Sequence, residues 1–313
     1  MEMRFLSKDA EINPGNTIRI DTWRNTLQLF HRYNKPKFVG PFYAAGYKNY
    51  SLEGTVLGKS GLLLHPDIIT WDNKRKVGTF VDVTNNPSFK TPQVEKYKTA
   101  DVQSLSALGV PQDIHPEFDV VVSLDKAHDT SEYCQIIVGD IIDVIHEDNL
   151  SDSTLKDKLI ASKDFPLNRL PDLKISLLPE MTGASEIRTG LSGYVYKLFE
   201  PNFQGYTVKE LTDEGLGEFV NRFSPASREK LMSRVENNMR ALVQHYLPDY
   251  LEEVDRVFRA KKEPDRKTSF AESPRTRKAI TDGIYNWIHN KTEKDMVVQY
   301  QLDNFSKEGG RDA

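Results

Sequence analysis

The chain has a single cysteine, Cys134, among 313 residues. That excludes an intramolecular disulfide and any zinc site built on several cysteines. No apolar run approaches the roughly 18–20 residues of a membrane span. The opening Met1-Glu2-Met3-Arg4-Phe5 lacks the apolar stretch of a signal peptide, so the expectation is a cytoplasmic protein with no membrane partner. No Gly-rich loop runs into Lys-Ser/Thr, which argues against a P-loop nucleotide site, and Gly215-Leu216-Gly217 is too short for a dinucleotide fingerprint. The seven histidines form no close pair at metal-ligand spacing. There is no internal repeat and no low-complexity tract. Neither sign of charge dominates: 42 Lys and Arg face 46 Asp and Glu, a formal −4. Indiscriminate coating of nucleic acid is therefore not expected, although a local basic groove is allowed.

What is present reads as a globular chain with room for two domains. Hydrophobic residues make up 38% and charged residues 28%, too apolar for disorder. The charge is uneven. Residues 1–150 carry 16 basic and 20 acidic residues, a balance of −4, and the remaining 163 carry 26 of each. Short apolar runs and turns fill the first half, while the last third has a helical period. The division expected is 1–150 and 151–313.

In the first part, Asn16 caps a predicted helix over Thr17–Tyr33 that ends before Pro36. Three strands are predicted, Gly54–Leu57, Leu62–Trp71 and Val77–Val83, the last two joined by a turn at Asp72-Asn73-Lys74-Arg75. A helix from Thr91 to about Leu108 follows, with Pro92 in its first turn, then strands over Phe118–Leu124 and Gln135–Val144. Residues 145–175 read as a linker. Beyond it the spacing predicts a strand at Leu191–Phe199, helices over Ser224–Tyr246 and Pro248–Lys262, a polar joint from Glu263 to Pro274, a helix through Ile280–Ile288 and a last strand at Met296–Leu302.

The hairpin suggests chemistry. Asp67 lies in its first strand and Asp82, fifteen residues on, near the end of its second. Adjacent strands lie about 4.8 Å apart. Two carboxylates at that spacing repel unless a cation sits between them. Mg²⁺ accepts one or two carboxylates and fills its other positions with water and phosphate oxygens. Such an ion can activate water for phosphodiester cleavage.

Pro66-Asp67, Asp82-Val83-Thr84, Gln93 and Lys96-Tyr97 together resemble the PD-(D/E)xK nuclease superfamily, whose members share a restriction-endonuclease-like fold. The resemblance covers roughly residues 16–145. It implies an α/β core in the order helix, three strands, helix, two strands, followed here by a mainly helical C-terminal domain that binds DNA or a partner. It also implies a metal-dependent DNA endonuclease, with Mg²⁺ or Mn²⁺ held by Asp67 and Asp82 and by Glu53, where some members place a further acid. Gln93 would position water or phosphate. The sequence departs from the pattern at Thr84, where the family expects lysine to orient the attacking water and offset charge. Lys96 is the first candidate for a displaced lysine and Lys90 the second. The competing expectation is a catalytically degenerate nuclease fold that binds DNA, preferentially duplex, or protein subunits in a transposition or phage-defence assembly.

Other features have plainer readings. Asp72-x-Lys74 imitates the acid-x-lysine motif but falls in the turn. Cys134 precedes an apolar run and reads as a core residue. His65, beside Pro66-Asp67, reads as a strand histidine. Seven basic residues between Lys261 and Lys278 form a cluster suited to phosphates or to a solvated linker. Arg228, Lys230, Arg234 and Arg240 line a helix and read as its wet side.

Overall fold

The structure is a computed structural model, which describes residues 14–85, 90–179, 181, 183–261 and 274–290. The chain is mixed α/β and divides into two compact units. Among the described residues, one comprises 14–175 together with 218–227; the other comprises 176–217 and those from 228 onward.

The first unit is built on a sheet. In chain order it has α1 (Pro14–Gln28), β1 (Asn49–Leu52), β2 (Val56–Gly58), β3 (Leu63–Leu64), β4 (Ile68–Asp72) and β5 (Val77–Thr84). There follow α2 (Lys90–Lys98), β6 (Ala100–Asp101), β7 (Asp119–Leu124), β8 (Cys134–Val138), β9 (Ile142–Ile145) and α3 (Ser153–Ala161). Six strands form the main sheet in the order β9-β8-β7-β5-β4-β1. β1, β4 and β5 make an antiparallel meander, β5, β7 and β8 run parallel, and β9 turns back antiparallel to β8.

The sequence explains the centre of this sheet. β5, Val77-Gly-Thr-Phe-Val-Asp-Val-Thr84, is rich in β-branched residues, and its residues 78–84 are buried. A strand covered on both faces has that composition. The period of two sends Phe80 and Val122 to one face and Val81 and Ser123 to the other. α1 covers the second face, with Trp23 and Leu27 fully buried and the Thr26 hydroxyl 2.6 Å from that of Ser123. α2 covers the first face, where Val94 and Tyr97 join Ile69, Trp71, Phe80 and Phe118 in one core. At Gly78 a side chain would meet the Phe118 ring. Gly78→Ala is therefore expected to cost about 1–3 kcal/mol through overpacking, read as a lower urea midpoint.

The β4–β5 turn forms as expected. Asp72 accepts the Lys74 N–H at 2.8 Å, and Lys76 takes a φ of +57°. The preceding strand differs from expectation. Leu62–Trp71 is not one strand: β3 and β4 are separate, and the chain changes sheet at His65-Pro66-Asp67. Pro66 has no N–H to donate to a ladder, so the change falls there. β3 joins a small sheet in the order β3-β2-β6. The first strand of the meander is Asn49–Leu52 rather than Gly54–Leu57.

The helix expected to reach Leu108 stops at Lys98, because the Thr99 N–H and hydroxyl both close on the Lys96 carbonyl. Ala100–Asp101 then pairs with β2, and Asp101 caps a short 3₁₀ turn over Val102–Leu108. Gln135–Val144 is a pair of antiparallel strands. The region read as a linker, 145–175, contains α3, capped by Asp152 through the Thr154 N–H at 3.0 Å. The segment 218–227 returns to this unit: Leu52 donates to the Arg222 carbonyl and accepts from Ser224.

The second unit is mainly helical. It contains α4 (Ala184–Lys197), β10 (Tyr206–Thr207), α5 (Val208–Leu216), α6 (Pro225–Ala241, running on as a π-turn to Tyr246), β11 (Leu251–Val254), β12 (Val257–Ala260) and α7 (Pro274–Ile288). Two expectations fail here. Leu191–Phe199 lies largely in α4: Ile187, Leu191 and Val195 recur every fourth residue, and Glu186 caps the Gly183 N–H. In place of the helix expected over Pro248–Lys262, Leu251–Val254 and Val257–Ala260 form a hairpin, with Asp255 and Arg256 both at positive φ as a tight two-residue turn requires. Its Leu251, Val254, Val257 and Phe258 imitate helical spacing. Arg188 ties the unit together through Asn238 and the Trp287 carbonyl, each at 2.8 Å. The joint from 263 and the strand expected at Met296–Leu302 lie outside the described residues. No helix among the described residues is long and apolar enough to cross a membrane.

Candidate functional site

The site is built by strand register. β4 pairs with β5 through Ile68↔Val81, so one further step sets Asp67 opposite Asp82. β1 pairs with β4 through Leu52↔Ile68, and the next step sets Glu53 opposite Asp67, where the Glu53 N–H donates to the Asp67 carbonyl at 2.7 Å. Three acidic residues thus occupy one row at the end of three adjacent strands, Glu53 and Asp67 one step beyond β1 and β4. Residues directly opposite in antiparallel strands have Cβ atoms about 4.5–5.5 Å apart. Glu53 holds a φ of +49°, which bends the chain away from β1.

Asp67 Oδ2 accepts the Val83 N–H at 2.6 Å. That bond fixes the first carboxylate against the backbone beside the second. Asp82 is 1% exposed. It lies under α2, which turns Gln93 and Tyr97, four residues apart and so on one helix face, toward the sheet. The Tyr97 hydroxyl is 3.3 Å from Asp82 Oδ1 and 3.1 Å from the His65 carbonyl, both within its donating reach. Gln93 Nε2 donates to the Tyr97 oxygen at 2.6 Å and reaches Asp82 Oδ1 at 3.5 Å. Burial raises the Tyr97 phenol far above its ordinary range, and the charges of Asp82 and Asp67 raise it further. Tyr97 therefore stays a neutral hydrogen-bond donor at any working pH.

Four of the residues singled out by sequence thus share one end of the β4–β5 hairpin: Asp67, Asp82, Gln93 and, through its backbone, Glu53. Lys96 is on the same helix but exposed, and among the described residues its ammonium makes no ion pair. Lys90 is the first residue of α2. Thr84 continues β5 on the Asp82 face, opposite Leu124. Tyr97 is the participant that sequence reading left without a role. The signal for it was its spacing of four from Gln93.

The donor set is made of hard oxygens. Among the described residues no three Asp, Glu, His or Cys side chains gather as a closed metal cage. Two opposed carboxylates are nonetheless the protein share that Mg²⁺ takes when water and phosphate complete its shell. The arrangement can place a divalent ion at the sheet end, with one carboxylate held by a backbone N–H and the other by Tyr97 and Gln93.

The remaining candidates have structural roles. Burial pushes the Cys134 thiol up to about 12, so it is no nucleophile at neutral pH. Arg228 pairs with Asp213 at 2.9 Å, Arg234 donates to the Pro179 and Met181 carbonyls, and Arg240 pairs with Glu253 at 3.0 Å. These arginines hold the second unit together. Of the basic cluster, Lys261, Arg275, Arg277 and Lys278 are described; Lys262, Arg266 and Lys267 lie outside the described residues. Comparison with family models, with curated proteins and with solved structures finds no match.

Proposed function

We propose that this chain is a metal-dependent DNA endonuclease of the restriction-endonuclease-like fold, working at the sheet end that carries Asp67 and Asp82. The convergence of these two carboxylates with Gln93 and Tyr97 carries the reading. The order of elements supports it: an antiparallel three-strand meander, then α2, then two strands parallel to β5, with α1 and α2 on opposite faces.

Asp67 and Asp82 would hold Mg²⁺ or Mn²⁺, with Glu53 as a neighbour in the row. Bound there, the ion would lower the pKa of a water and stabilise charge on the phosphate oxygens. The chain's own groups orient the carboxylates. The Val83 N–H fixes Asp67, and Tyr97 with Gln93 fixes Asp82, in the way outer partners fix metal ligands. Lys96, exposed one residue before Tyr97, would supply a cation to the phosphate.

The test is incubation of the full chain with plasmid, linear duplex and single-stranded DNA in Mg²⁺ or Mn²⁺. Duplex cleavage that EDTA stops supports the reading. Lys96→Ala should then slow cleavage roughly 10²-fold, the usual scale for losing one positioned acid–base or charge-stabilising group. An unchanged rate would transfer that role to Lys90. Thr84 in the lysine position favours one alternative, a degenerate fold that binds DNA or a protein subunit without cutting. DNA retained in gel shifts but intact in both metals would select it.

A further inference from the structure

Among the described residues, nothing covers an apolar patch on the small β3-β2-β6 sheet. Leu57 and Leu63 are directly paired, and both are exposed. Leu62, at the turn, is 60% exposed, and Leu63 is 63% exposed. Their neighbours Val56 and Leu64 point the other way and are buried. Single exposed leucines are ordinary, but three together on one hairpin tip form a patch. Gly61, at a φ of +79°, shapes the turn.

This hairpin is tied to the carboxylate site. His65 stands two residues before Asp67 and two after Leu63. Its ring nitrogen is 3.2 Å from the Thr55 hydroxyl, which braces the hairpin base. Its carbonyl is the one within reach of the Tyr97 hydroxyl. Positive charge flanks the tip. The Lys59 N–H donates to the Thr99 carbonyl at 2.9 Å, and Thr99 in turn closes on Lys96. Lys59 and Lys96 are exposed, and among the described residues neither ammonium makes an ion pair. The nearby acid Asp101 caps the Gln103 N–H and keeps its charge, so the two lysines outnumber it there.

We infer that the β2–β3 hairpin is a wedge: Leu62 and Leu63 enter a groove of duplex DNA and part a base step, while Lys59 and Lys96 hold flanking phosphates. Continuity with the proposed phosphodiester site and the positive charge of the two exposed lysines favour DNA as the occupant over a protein. The inference rests on the nuclease reading and sharpens it to duplex that can be kinked. Apolar side chains inserted between base steps bend the duplex, and pyrimidine–purine steps yield most readily. Lysine contacts to phosphate place the protein without reading sequence.

The experiment uses the full chain, a Leu62→Ser/Leu63→Ser variant and a short duplex with 2-aminopurine at a central TA step, in Ca²⁺ for binding and Mg²⁺ for cleavage. Both leucines are exposed, so the variant should fold, as its circular dichroism and melting will show. Wild type should raise the 2-aminopurine fluorescence. The variant should not, and should bind duplex roughly tenfold or more weakly, the order expected when two leucines no longer leave water. Lys59→Ala should instead weaken binding for all sequences and flatten the salt dependence. If wild type cleaves in an Asp82-dependent way and the leucine variant matches it in binding and fluorescence, the wedge is overturned and the nuclease reading stands. If wild type neither binds nor cleaves, both fall. A wild-type dimer that the variant converts to monomer with unchanged DNA binding would overturn the wedge and make a second copy of the chain the occupant.

Discussion

Asp82→Ala is expected to lower Mg²⁺-dependent DNA cleavage by at least about 10³-fold, to background in an ordinary plasmid-nicking assay. A metal acting on phosphate contributes several kcal/mol to the transition state, and about 4 kcal/mol corresponds to a thousandfold in rate. Asp82 would be the deeper of its two ligands, 1% exposed and aligned by Tyr97 and Gln93. Asp67→Ala should behave alike, with the added loss of the acceptor for the Val83 N–H, worth about 1 kcal/mol of stability. Asp82→Asn keeps the shape and an oxygen for Tyr97 but loses the charge. It should fold as wild type and still fail to cleave. Calorimetric titration with Mn²⁺ separates the two readings of the site. Under the nuclease reading, metal binding and cleavage vanish together in Asp82→Asn. Under the degenerate reading, wild type binds metal and never cleaves. Unchanged nicking in both alanine variants would remove the assignment altogether.

The parts of this site legible in the sequence were those set by local rules. A turn at Asp72–Arg75 and alternation in Val77–Thr84 give a hairpin, and a hairpin register decides which residues face each other. That is enough to bring Asp67 opposite Asp82. Gln93 enters through the resemblance, as the glutamine of the helix after β5. Glu53 was reached only by resemblance, since its row depends on which strand pairs with β4. The sequence suggested Gly54–Leu57, and the observed partner is Asn49–Leu52. Nothing local distinguishes these two segments; the choice follows from Val56–Gly58 being drawn into the small sheet with β3 and β6. Likewise Leu62–Leu64 and Ile68–Ile69 read as one strand, although His65-Pro66-Asp67 between them marks where the chain changes sheets.

The misread elements of the second unit failed for a different reason. In α4, Tyr194, Val195 and Tyr196 have strand propensity, but the apolar face Ile187–Leu191–Val195 packs in a helical bundle, and packing outweighs propensity. In β11–β12, Asp255-Arg256 lacks the glycine or asparagine that usually announces a tight turn, so the helical spacing of its apolar residues stood unopposed. The α4 case turns on contacts distant in sequence, whereas the hairpin is local, Leu251 pairing with Ala260 and Val254 with Val257, and only its turn residues hide it.

Arg75→Ala should produce a large loss of stability at the end of the hairpin away from the carboxylate row. Arg75 sits at the opposite end of the β4–β5 hairpin. Its Nε donates to Asp72 Oδ2 at 2.7 Å, its Nη1 to both oxygens of Asp152 at 2.6 and 2.7 Å, and its Nη2 to the Ala45 carbonyl. Tyr47 adds a hydrogen bond to Asp152 at 2.8 Å and lies under the guanidinium. One side chain thus joins the hairpin turn, the loop before β1 and the cap of α3. Removing it leaves two nearly buried carboxylates, 6% and 8% exposed, without their cation. Breaking a fully buried pair costs about 3–5 kcal/mol. Arg75 keeps 29% of its side chain in solvent, so about 2–4 kcal/mol is the fitting estimate. Lysine cannot reproduce the fork and should recover little of it. The pH dependence identifies the cause. Burial pushes the Asp72 carboxyl up, and hydrogen bonds from Arg75 and Lys74 outweigh it, holding the group below its ordinary value. A carboxyl depressed in the folded state binds fewer protons there than when unfolded. Its contribution is present above the unfolded pKa of about 3.9 and is lost as pH falls through the folded value. In Arg75→Ala burial is left to act without the guanidinium, and the ionised carboxylate becomes a burden at neutral pH. Urea unfolding should therefore show the widest gap between wild type and variant near pH 7, narrowing below about pH 4. A gap that stays constant over this range would mean that the guanidinium acts by packing rather than by charge.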